Sequence, residues 1–332
     1  MKHGTRRNWL KGFSAATLGG ALPWGSTLAE GSWKIIELRG HSYVAGGEVG
    51  RFYRFEKLSR DGSKLLFYTP NLNMRWSGDS TSIYINNVKF NLSFPAVEHN
   101  GDVYVSVVDL QKLIDPVLRP TYIKRPIRFT TVVIDAGHGG SDSGAKSAIP
   151  GGWEKNYALD VALRLRTALE KHDFKVKMTR TDDSFPSRQA RVDFANSVAN
   201  SIFVSVHFNS SSPDANGIET YALAPKGTTT ALGSTSNNLF HGNLRDAENI
   251  ALATAVHAMI MSRMRANAIV DRGIKRARFD VLTGIEKPGI LVEGGFVTNR
   301  SEATKIHTEA YREQLAQAIA DAIVKFQHAV GG

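Results

Sequence analysis

From residue 130 onward the chain alternates strand-like and helix-like segments, and this alternation limits the possible fold more than any other feature. TVVIDA (131–136) reads as a buried strand, EKNYALDVALRLRTALEKH as a helix with Leu159, Leu163, Leu165 and Leu169 near helical spacing, and KVKMTRT as a strand. RQARVDFANSVA follows as a helix, SIFVSVHFN and GIETYALA as strands, ENIALATAVHAMIMSRM as a helix and ILVEGGFV as a strand. A last helix puts Leu315, Ile319, Ile323 and Phe326 on one face. Strands separated by helices imply an α/β domain over 130–332, with a largely parallel or mixed sheet flanked by helices.

Upstream the texture differs. KIIEL, KLLFYT, SIYINNVKFNL and DVYVSVV are short strands between Gly, Asn, Asp and Ser clusters, so residues 31–119 read as a small, mostly β domain. Asn86 and Asn87, between Ile83/Ile85 and Val88/Phe90, predict a hairpin. DPVLRPTYIKRPIR, with Pro120 and Pro126, reads as an extended connector, its linker part at 120–129. GTTTALGSTSNN, within Lys226 to Asn243, does not read as a helix and is expected to be a lid or substrate-gripping loop.

Residues 1–30 read as a processing segment. Arg6 and Arg7 precede Trp9, Leu10 and Lys11, then a modest apolar run and small residues near Ala29, the layout of a twin-arginine export signal. The expected location is the periplasm or cell envelope. Net charge is +10, and Lys2, Arg6, Arg7 and Lys11 carry four of those charges. What remains suits contact with anionic envelope polymers but is too diffuse to argue for nucleic acid. No later apolar run is long enough to span a bilayer.

With no Cys in the chain, a disulfide scaffold, a thiolate zinc site and a cysteine nucleophile are excluded. His, carboxylate and hydroxyl are left to do chemistry. Three strands of the second region end in such groups: TVVIDAGH in His138, SIFVSVH in His207 and ILVE in Glu293. Glu154, in GGWEKN, starts the helix after the first strand. Ligands of open α/β sheets bind beyond the carboxyl ends of strands, so these groups can converge there. Two imidazoles and two carboxylates match a catalytic zinc site with three ligands and one base. Magnesium and calcium prefer all-oxygen shells. His41, His99, His172, His241, His257, His307 and His328 are read as ordinary histidines.

VVIDAGHGGSDSGA, WEKN, RTDD with RQARVDFAN, IFVSVHFNS, GIETYAL and ILVEGGFVTN resemble, in that order, the zinc-dependent N-acetylmuramoyl-L-alanine amidases of the type 3 family. The resemblance covers about residues 130–326. It implies that His138, Glu154 and His207 are zinc ligands and Glu293 is the catalytic carboxylate. It further implies hydrolysis of the amide between the lactyl group of N-acetylmuramic acid and L-alanine in peptidoglycan, in some members under a protein activator. Asp135 and Asn209 are expected to orient the ligand histidines, Arg188 and Arg191 to hold a substrate or structural carboxylate, and Glu219 and Asp142 to be solvated or supporting charges. Gly137, Gly139 and Gly140 would let backbone approach the metal or substrate. INNVKFNLSFPAVEHNGDVYVSVVDL is weakly similar to β-rich accessory domains related to the N-terminal domain of copper amine oxidases, without implying copper, since His41 and His99 are that domain's only histidines. A zinc exopeptidase and a non-catalytic wall-binding protein are the competing readings.

Overall fold

A computed structural model describes residues 33–331, so the proposed export segment lies outside the described residues. The N-terminal part opens with β1 (Ile35–Leu38), β2 (His41–Ala45) and helix α1 (Gly46–Phe52). A meander follows: β3 (Lys57–Asp61), β4 (Lys64–Tyr68), β5 (Asn73–Ser77), β6 (Ser82–Ile85) and β7 (Val88–Asn91). The expected hairpin turns at Asn86 and Asn87, both with left-handed φ (48° and 64°), the geometry a two-residue type I′ turn demands. β8 (Val97–His99) and β9 (Asp102–Ser106) join β1 and β2 in a separate four-stranded sheet.

DVYVSVV does not stay extended to its end. Ser106 caps the short helix α2 (Val107–Asp109) by accepting the Asp109 N–H, and a π-helical turn (Leu110–Ile114) and α3 (Asp115–Leu118) continue it. The first half of the connector is therefore packed rather than extended: Pro116, Val117, Leu118 and Pro120 are buried, and the Arg119 guanidinium lies over the rings of Phe52, Tyr53 and Tyr122.

The second region supplies β10 (Thr131–Ala136), α4 (Glu154–Glu170), β11 (Lys175–Met178), α5 (Arg188–Ser197), β12 (Ser201–Asn209) and β13 (Ile218–Leu223). A two-stranded ribbon, β14 (Thr228–Thr229) with β15 (Thr235–Ser236), precedes α6 (Asp246–Arg263), β16 (Asp271–Ala277) and α7 (Asp280–Thr283). The chain ends with β17 (Gly289–Phe296), α8 (Arg300–His307) and α9 (Glu309–Gly331).

The sheet order is β11-β10-β12-β17-β13-β16-β7-β6-β5-β4-β3. β11, β10, β12 and β17 run parallel, β13 is antiparallel to β17, and β16 is parallel to β13. This is the mixed, helix-flanked sheet expected, and the N-terminal meander joins its edge through one pair, Phe90 with Ile274. Central strands covered on both faces need continuous apolar runs, and β10 is buried at all six positions. α4, α6 and α9 cover one face, contributing Leu165, Leu252 and Ile319 to the core, while α5 and α7 cover the other with Val192 and Leu282. Among the described residues no helix is long and apolar enough to cross a membrane.

Candidate metal centre and catalytic cleft

β10 ends at Ala136, and the next residues turn sharply enough to put His138 in the left-handed region (φ 59°). A non-glycine residue there costs about 1–3 kcal/mol, so its surroundings must hold it. Glu154 is the first residue of α4, and His207 lies two residues before the end of β12. Glu293 is in register with His207 on the neighbouring parallel strand β17. Residues paired in this way project to the same face.

These placements bring the first three together. His138 Nε2 lies 3.0 Å and His207 Nδ1 2.9 Å from the same oxygen, Oε1 of Glu154. The three possible ligand atoms fall within 4.8 Å of one another. A tetrahedral zinc with bonds of about 2.0–2.2 Å separates its ligands by roughly 3.3 Å, so the cluster stands close to ligand spacing. Two imidazoles and one carboxylate form a donor set that zinc accepts, with a fourth position left for water or substrate. The residues fit the metal that the sequence implies.

Carboxylates and main-chain donors surround the cluster. His138 Nδ1 lies 2.9 Å from Oδ1 of Asp142, out of hydrogen-bond alignment, and that oxygen accepts the Gly144 N–H; the nearby negative charge favours a proton on Nδ1 and so leaves Nε2 to ligate. Asp142 is thus a supporting charge. Oε1 of Glu154 accepts the Phe208 N–H and Oε2 the Ala145 N–H. Burial opposes ionisation of Glu154, but hydrogen bonds from His138 and His207 prevail and hold its carboxyl well below the usual range. Burial also opposes protonation of His138, and the Glu154 and Asp142 carboxylates outweigh it and raise its pKa.

Gly137 shows why the strand stops where it does. A Cβ there would fall 2.3 Å from Cε1 and 2.5 Å from Nε2 of His207. Gly137→Ala is therefore expected to displace the His207 ring and weaken metal uptake by roughly tenfold or more, a size typical when a ligand's support is disturbed; zinc titration of the purified variant checks this.

Glu293 faces a different environment. Its Oε2 is buried without a hydrogen-bond partner among the described residues, and burial, then the like charges of Glu154 and Glu219, push its carboxyl well above the usual range. Glu219 pairs with Glu293 across β13 and β17. It is not solvated: it is 1% exposed, bound by Arg272 and Lys275, and accepts from Tyr221 (2.6 Å) and Asn209 (3.1 Å).

Two expected roles are corrected. Asp135 touches neither histidine; it accepts from Thr179, Arg191 and Ser205, because β10 pairs it with Ser205, two residues short of His207. Asn209 likewise reaches Glu219 instead of a histidine. Of the two arginines, Arg191 is buried and structural, with bonds to Asp135, Ala136 O, His138 O and Pro186 O. Arg188 is exposed and paired with Asp280. The segment 226–240 has no helix, and a 3-10 turn starts at His241. Arg278 fastens the ribbon through Pro225 O, Thr228 O and Ser234 O. Arg180, which heads the RTDD motif but has no role assigned by the sequence, is buried and donates to Gly137 O and Lys155 O beside the cluster.

The cluster opens into a cleft of about 450 Å³ that also takes in Glu293, with Phe185, Arg188 and Phe279 on its walls. A family model described as N-acetylmuramoyl-L-alanine amidase matches residues 132–325, more than half of the chain. The chain belongs to the type 3 amidase family. All four site residues lie inside the matched stretch. Among similar proteins of this amidase family, the amidase LytC of Bacillus subtilis is 36% identical over 207 residues, 61% of this chain but only 37% of LytC, so the chain spans little more than a third of that relative. The crystal structure of an N-acetylmuramoyl-L-alanine amidase from Clostridium difficile 630 superposes with a TM-score of 0.51 at 33% identity, covering 61% of this chain and 98% of that one. The CwlD amidase from Clostridioides difficile, solved in complex with the GerS lipoprotein, gives 0.50 at 25% identity, covering 59% and 98%.

Proposed function

We propose that the protein hydrolyses the amide between the lactyl group of N-acetylmuramic acid and L-alanine in peptidoglycan, with His138, Glu154 and His207 as zinc ligands and Glu293 as general base. The observation that carries this reading is the meeting of two imidazole nitrogens at one Glu154 oxygen, in a cleft shared with Glu293, whose Oε2 is buried and has no hydrogen-bond partner among the described residues. When bound, zinc supplies Lewis acidity, polarising a carbonyl and lowering the pKa of water toward about 7.

The chain's own groups do the rest. The Asp142 charge beside His138 Nδ1 favours the tautomer that leaves Nε2 to ligate, and the Phe208 and Ala145 N–H groups fix the Glu154 carboxylate. Glu293 takes the proton of the attacking water and returns it to the leaving amine. Its raised proton affinity suits both transfers, and a divalent charge in the ligand cluster opposes that shift and keeps the carboxyl from staying protonated.

Chelation of the metal is expected to stop release of intact stem peptides from purified sacculi, and added zinc to restore it. Shortened peptides would instead favour the exopeptidase, and no products from zinc-loaded protein the wall-binding reading. We further propose the division into an export signal (1–30), a β-rich accessory domain (31–119), a linker (120–129) and a catalytic domain (130–332), with twin-arginine export to the periplasm or cell envelope. An activator protein is proposed on the precedent of the CwlD–GerS complex.

A further inference from the structure

Arg180 follows β11 and is 3% exposed, yet its side-chain hydrogen bonds among the described residues go to main-chain carbonyls: Nε to Ala136 O (2.9 Å), Nη2 to Gly137 O (2.7 Å) and Lys155 O (2.8 Å), and Nη1 to Asp182 O (2.9 Å). Gly137 is the residue before His138, and Lys155 is the residue after Glu154. One guanidinium thus clamps the backbone beside two of the three proposed ligands. Gly137 is also the residue against which the third, His207, is packed.

The arrangement is a poor one for stability alone. Arg191, also buried, donates to the same Ala136 O (2.7 Å), so two like charges share one acceptor while, among the described residues, only Arg191 of the two makes an ion pair, with Asp135. A buried cation without a bonded carboxylate carries a desolvation penalty. What the guanidinium offers in return is a rigid planar fork with fixed donor directions, which turns separate carbonyls into a template. Here that template spans the left-handed turn at His138 and the first turn of α4.

We propose that Arg180 is a positioning residue that sets the spacing of His138 and Glu154 for metal binding. The proposal rests on the reading of His138, Glu154 and His207 as zinc ligands. Lysine at this position keeps the charge but reaches only one point, so the clamp on Gly137 and Lys155 is lost.

The test uses the full chain, Arg180→Lys and Arg180→Gln, each stripped of metal and checked for folding by circular dichroism. Zinc affinity is measured by competition with a chromogenic chelator, and ligand geometry by the visible absorption of the cobalt-loaded protein. The expected result is a dissociation constant about 10–100-fold above the parent's, the range for lost outer-shell support, with altered cobalt bands in a chain that remains folded. Parent-like affinity and parent-like bands in Arg180→Lys, or in Arg180→Gln where the lysine variant does not fold, overturn the proposal. Failure of both variants to fold assigns Arg180 to the fold and overturns it as well. A parent that takes up no zinc overturns the metal reading along with it, and so separates the two failures.

Discussion

Glu293→Gln is expected to lower stem-peptide release by about 10²–10⁴-fold, the usual contribution of a general base, with zinc content unchanged. The substitution nearly preserves shape and size while removing the carboxylate proposed to take the proton of the attacking water. Oε2 of Glu293 has no partner to lose among the described residues, so stability should change little, and an amide there relieves the repulsion from Glu154 and Glu219. Zinc should stay because the ligand atoms belong to His138, Glu154 and His207. Side-by-side elemental analysis and mass spectrometry of released peptides decide the matter. Zinc lost together with activity would make Glu293 a ligand, and full activity would remove it from the mechanism.

How much of this was legible in the sequence depends on whether a residue's role is set by its own strand or by its neighbours. Strand ends were readable: TVVIDA is apolar because β10 is buried throughout, and its stop at Gly137 marks the approach of His207. The Asn86–Asn87 turn was readable because few residues tolerate two successive left-handed positions. β16 was missed. DRGIKRA offers Ile274 as its only large apolar side chain, and its Arg276 is buried only because Leu223 O and Lys112 O accept its N–H groups, partners that no local pattern reveals. The same limit governs the supporting residues. Asp135 looks like a histidine's partner by its closeness to His138 in sequence, but sheet register gives it Ser205. Arg180 lies in the strand-like KVKMTRT and heads the RTDD motif, but neither assigns it a role, and only the fold brings carbonyls from residues 136, 137 and 155 around it.

Glu154→Gln is expected to cost both the metal and part of the fold, because Glu154 is the hub of the site. Its two oxygens face four nitrogens: His138 Nε2, His207 Nδ1, Phe208 N and Ala145 N. Glutamine keeps one acceptor oxygen and turns an NH₂ toward donors, so at least one buried N–H loses its acceptor, at about 1–3 kcal/mol. The negative charge that balances the divalent ion also goes, and two neutral imidazoles alone are a weak zinc site. Activity should fall to that of the metal-stripped parent. The thermal signature separates this from simple destabilisation: the parent should melt lower after chelation, since a ligand bound only to the folded chain stabilises it, while Glu154→Gln should melt low with or without chelator. A variant that still gains stability from added zinc would mean that the metal sits elsewhere, and Glu154 would then be only a carboxylate pairing two histidines.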